Sequence, residues 1–128
     1  MEIVTQIIQI LLCGVFGMIG LTKLLRPYET LVTQFAWMES VSPTIVKIIG
    51  ILEILGAIGI VVPTALSIFP FFTPLAGIGL TLLMIGAIIT HAMRREYMNI
   101  FSNIVLLGLI VFVAAYYSDL LFLGFTVQ

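Results

Sequence analysis

Charge is scarce in this chain. Five basic and six acidic residues are spread over 128 positions, so 9% of the side chains carry a formal charge. A soluble domain of ordinary composition has about 25%. So few charges cannot solvate the surface of a 14.1 kDa globule. A soluble domain, a disordered chain, a coiled coil and a nucleic-acid binder are thereby excluded. Cysteine is nearly absent as well. Cys13 stands alone, which rules out an intrachain disulfide, a CxxC redox centre and a zinc or iron–sulfur cage built by this chain. A single histidine, His91, cannot supply bis-histidine haem ligation. No metal site is expected. Any redox chemistry would belong to a bound cofactor or a partner chain.

What is abundant is apolar surface: 62% of the residues are hydrophobic and the mean hydropathy is +1.30. Together with the length, this predicts an all-α integral membrane protein, one transmembrane domain over 1–128. A helical span takes about 20 apolar residues, so four spans with short loops fit. The charge-free runs place them at about 3–25, 45–62, 74–92 and 99–117. Ile10-Leu11-Leu12-Cys13 faintly resembles a lipoprotein cleavage site, but Leu12 stands where a small residue belongs and no basic region precedes it. A retained first span is therefore expected. Between the first and second spans, Tyr28, Leu31, Val32, Phe35 and Met38 recur at helical spacing among polar residues. This predicts a short amphipathic helix on the membrane surface, opened by Pro27, with Trp37 as a surface for docking a partner. Pro63 is expected to close the second span. Pro63, Pro70 and Pro74 mark the following turn, with Phe69, Phe71 and Phe72 at the interface.

The placement of charge is more informative than its sum. Lys23, Arg26, Lys47, Arg94 and Arg95 all lie in or beside the first and third loops. The positive-inside rule puts that side in the cytoplasm and both termini outside, in a cell (inner) membrane. Glycine recurs every third residue at Gly14, Gly17 and Gly20, continuing to Lys23. The second span repeats the pattern at Gly50, Glu53, Gly56 and Gly59. Such ridges let helices approach closely in lipid. Glu53 lies roughly 12 Å inside its span at 1.5 Å per residue. An ionised carboxylate at that depth needs a partner or a proton. Lys23, His91 and Asn103 belong to the same half of the membrane, and four helices could converge them with Glu53 into one polar pocket. Two readings fit these residues. In one they form a ligand site. In the other Lys23 snorkels to the headgroups, Glu53 glues helices, Arg94 and Arg95 fix topology, and His91 is an interfacial residue. Gln6 and Gln9, in the opposite half, are expected to make helix–helix hydrogen bonds.

The chain resembles the DoxX-like family of small four-helix membrane proteins. The resemblance is carried by Gly20-Leu21-Thr22-Lys23-Leu24-Leu25-Arg26-Pro27, by Trp37-Met38-Glu39, and by Ile49 to Gly59 with Pro63. Gly79-Leu80, Met84-Ile85-Gly86-Ala87 and then His91, Arg94 and Glu96 complete it. The resemblance implies a membrane protein associated with redox or thiol-stress complexes. The family takes its name from a small subunit of an archaeal thiosulfate:quinone oxidoreductase, and some eukaryotic relatives act in receptor assembly. It also marks Lys23, Glu53, His91, Arg94 and Glu96 as family-pattern positions. Three functions follow in order of preference. The first is a redox-associated subunit that binds a quinone or a similar lipid-soluble ligand. The second is a non-catalytic assembly protein, contacting lipid and a partner membrane subunit or its own copies. The third is an oligomeric small-molecule transporter.

Overall fold

The computed structural model describes residues 2–122. Among these, all regular structure is helical. The order is α1 (Glu2–Leu25), α2 (Tyr28–Gln34), a 3₁₀ turn (Ala36–Ser40), α3 (Pro43–Leu66), α4 (Phe72–Met93) and α5 (Tyr97–Tyr116). α1, α3, α4 and α5 are each long and apolar enough to cross a membrane. α1 packs on α3, α3 on α4 and α4 on α5, and α5 closes the bundle more loosely against α1. The protein is a multi-pass membrane bundle, as the charge-free runs predict. Its main core is a cluster that includes Leu12, Phe16, Ile60, Leu80, Ile110 and Val113. The outward faces are apolar too, with Leu55, Leu82 and Phe101 exposed as lipid contact requires.

The link between α1 and α3 departs from a plain amphipathic helix. α2 ends at Gln34, and Phe35 breaks the helical path at φ −126°, ψ 89°. The chain then tightens into the 3₁₀ turn. Tyr28 donates its hydroxyl to the carbonyls of Met38 and Val41, both at 2.8 Å, and Leu31, Met38 and Val46 form a small core beneath it. The link is thus a folded cap at the basic end of the bundle.

Pro63 does not close the second span. It lies inside α3, which continues to Leu66 and stops at Ser67 in the left-handed region, φ 54°. Proline cannot donate to the carbonyl four residues back, and that turn of backbone is loosened. The carbonyl left without its donor is that of Gly59, and Gln9 of α1 holds the backbone one residue further on. Its amide donates to the Ile60 carbonyl at 2.7 Å and to the Thr64 hydroxyl at 2.9 Å. Side chains of neighbouring helices commonly brace the backbone around a membrane proline. Tyr117 in turn donates to Gln9 at 3.2 Å. The turn after α3 carries Phe69, Phe71 and Phe72, which pack on one another. The rings of Phe71 and Phe72 stack at 4.5 Å.

Candidate functional site

The glycine ridges set the site. A Cβ on Gly20 would sit 2.7 Å from the Gly50 carbonyl oxygen, and one on Gly50 would sit 3.0 Å from the Gly20 oxygen. The two backbones therefore touch where α1 crosses α3. Lys23 lies one turn beyond that crossing, and its stem passes over Gly50, where an added Cβ would meet the Lys23 Cβ at 3.0 Å. The space left by Gly50 lets the lysine turn into the bundle. It does not snorkel outward. Its ammonium meets the Glu53 carboxylate at 2.5 Å, and both side chains are buried. Lys47 occupies the rim instead and donates to the Leu24 carbonyl at the end of α1, 3.3 Å away.

The 3₁₀ turn brings Trp37 over the lysine. The ammonium lies 5.3 Å from the indole centroid, in range for a cation–π contact. The other edge of Trp37 meets the His91 ring in a T-shaped pair at 6.1 Å. His91 lies in the last turn of α4, and the loop after it folds back. Glu96 donates its backbone N–H to the His91 carbonyl at 2.9 Å, and Arg95 donates to Ala92 at 3.2 Å with φ 58°. These are the two bonds of a Schellman closure, with arginine at a position usually given to glycine. The closure sets the Glu96 carboxylate 2.8 Å from His91 Nδ1. A carboxylate only accepts, so Nδ1 donates in this contact and Nε2 takes no part in it. Arg94 lies 3.6 Å from the same Glu96 oxygen. Glu53, Lys23, Trp37, His91, Glu96 and Arg94 thus form one continuous chain of contacts from mid-span to the loop.

Two cavities flank this chain. One, about 260 Å³, opens between α3 and α4 past Ile45, Ile49, Gly86 and Thr90. The other, about 230 Å³, opens between α1 and α5 past Ile19, Asn99, Ser102 and Asn103. Lys23, Trp37, Glu53, Met84, Ala87 and His91 line both. Lys23, Glu53 and His91 are therefore brought together. Asn103 reaches the same wall only from the α5 side. Trp37 faces the lysine and the histidine. No group of three or more His, Cys, Asp or Glu side chains suited to a metal ion occurs among the described residues.

Met84, Ala87 and Thr90 complete the walls and are not apparent from polarity alone. A usable signal was present in the spacing. Gly77, Leu80, Met84, Ala87 and His91 recur at three- and four-residue steps, so they share a face of α4. A histidine at the end of an inward-facing stripe points its neighbours one and two turns back into the same space.

A family model described as DoxX-like family matches residues 7–113. Comparison with curated proteins and with solved structures gave no match.

Proposed function

The chain belongs to the DoxX-like family, and from that premise we propose that it binds a quinone or a similar carbonyl-bearing lipid in the leaflet on its basic side. The observation that carries this reading is the position of the ion pair. A buried pair that served packing alone needs no open space beside it. Here Lys23 and Glu53 form the common wall of two cavities. The pair sums to zero charge, which favours a neutral head group over a phosphate. The ammonium has three donors and spends one on Glu53, leaving two for carbonyl oxygens. His91 and Glu96 connect the wall to the aqueous loop and supply a route for a proton. Such a site suits a membrane subunit that holds a quinone for a redox partner.

The test is direct. Protein purified in mild detergent should carry quinone at about one per chain, measured in its extracted lipid by mass spectrometry, as one full site implies. His91→Ala, and the paired change Lys23→Met with Glu53→Leu, should each lower that ratio at least about tenfold, which for a filled site takes a loss of more than about 1.4 kcal/mol of binding. Unchanged quinone in both variants would overturn the assignment.

The five basic side chains lie at one end of the bundle, and the positive-inside rule assigns that end to the cytoplasm. A cysteine introduced at Asp119 should then react with an impermeant thiol reagent in intact cells, in a Cys13→Ser background. Labelling only after the membrane is opened would reverse the assignment.

A further inference from the structure

The cavity between α3 and α4 continues beyond the polar wall. Leu82 and Leu83 line it, and they also line a groove of about 660 Å³ on the lipid-facing side of the same two helices. The groove is apolar throughout. Its shape is set by small residues: a Cβ on Gly56 would lie 2.5 Å from Leu80, and one on Gly59 would lie 2.8 Å from the Ala76 Cβ. The helices meet there on short side chains, and Leu55 and Phe72 stand up on either side, each about half exposed. From Leu83 to Phe72 the groove follows α4 for roughly 16 Å at 1.5 Å per residue, away from the basic end.

We infer that cavity and groove are one site, and that its ligand is a single-chain lipid with a neutral carbonyl head and an isoprenoid tail of several units. The inference rests on the quinone reading above and adds the path of the tail. The head lies against Lys23, Trp37 and His91. The tail leaves past Leu82 and Leu83 and follows the groove toward the opposite leaflet. Continuity selects this occupant. A cavity with Lys23, Glu53 and His91 in its wall adjoins, at Leu82 and Leu83, an apolar groove about one hydrocarbon chain long, and an amphipathic molecule of the same order fills both. A tail that left between α1 and α5 would instead pass Asn99, Ser102 and Asn103, which are polar.

Trp37 is the only tryptophan in the chain, so its fluorescence reports the head site without labels. The protein in nanodiscs would be titrated with one benzoquinone head carrying no tail, a single isoprene unit, or several units. Quenching of Trp37 gives Kd. Lipid is as apolar as the groove, so the tail gains only van der Waals packing, and about a tenfold tighter Kd is expected for the long-tailed compound. Gly79 lines the groove, and an added Cβ there meets nothing within 4 Å. Gly79→Phe, and the milder Gly79→Leu, should remove the long-tail gain and leave the Kd of the short analogue unchanged. Gly108 is equally open on α5 and lines none of these cavities, so Gly108→Phe should alter neither value.

A long-tail gain that survives Gly79→Phe would come from partitioning into the bilayer and would overturn the tail path. So would a change of oligomeric state in Gly79→Phe with quenching intact, which would assign the groove to a second copy. Absence of quenching by every analogue would instead defeat the quinone reading itself.

Discussion

Glu53→Ala should destabilise the bundle by about 3–5 kcal/mol, because it leaves the Lys23 ammonium buried without a counter-charge. Lys23 cannot relax outward cheaply, since its stem is packed over Gly50 and its head under Trp37. The change would appear as a lower midpoint in denaturing-detergent titration. The paired replacement Lys23→Met with Glu53→Leu removes both charges and keeps the volume, so it should recover most of the loss. It should fold and fail to retain ligand. The reversed pair, Lys23→Glu with Glu53→Lys, separates packing from binding. It keeps an ion pair but takes the cation away from Trp37. Retained fold with lost quinone is the expected outcome. Wild-type stability in Glu53→Ala would show that the pair contributes nothing to the fold.

The other large effect is expected at the helix crossing. Gly20→Ala places a methyl group 2.7 Å from the Gly50 carbonyl oxygen, which belongs to the backbone and cannot rotate away. Overpacking of this kind costs about 1–3 kcal/mol, and relief requires α1 and α3 to separate. Separation there draws Lys23 from Glu53, so ligand retention should fall with stability. Gly14→Ala, on the same ridge, is the control. An added Cβ at Gly14 meets nothing within 4 Å, and alanine favours the helix by about 1 kcal/mol. The two alanine variants should therefore shift thermal stability in opposite directions. Equal shifts would mean that the ridge does not set the crossing.

The spans were legible because apolar runs and charge clusters are strong signals in membrane proteins, where one solvent dictates both. The partnership of Lys23 and Glu53 was legible for a similar reason: each ends or interrupts a three-residue glycine ridge, and such ridges pack together. Pro63 misleads because the turn around it is held by a residue more than fifty positions away, Gln9, whose amide bonds the Ile60 carbonyl. Trp37 could not be oriented from periodicity. The chain changes from an α-helical to a 3₁₀ path at Phe35, and the change of pitch turns the indole toward Lys23. The contact of His91 with Glu96 depends on a left-handed Arg95, a conformation that an arginine gives no reason to expect.

The division of contacts between helix pairs bears on how the chain is made. α1 and α3 form one tightly packed hairpin, and α4 and α5 form another. Both members of the buried ion pair belong to the first. As the polypeptide leaves the ribosome and enters the bilayer, Lys23 arrives before Glu53, and the next spanning segment delivers the neutralising charge. No buried charge has to wait in lipid for a later helix, and insertion of the second hairpin begins beside a partner that is already electrically silent.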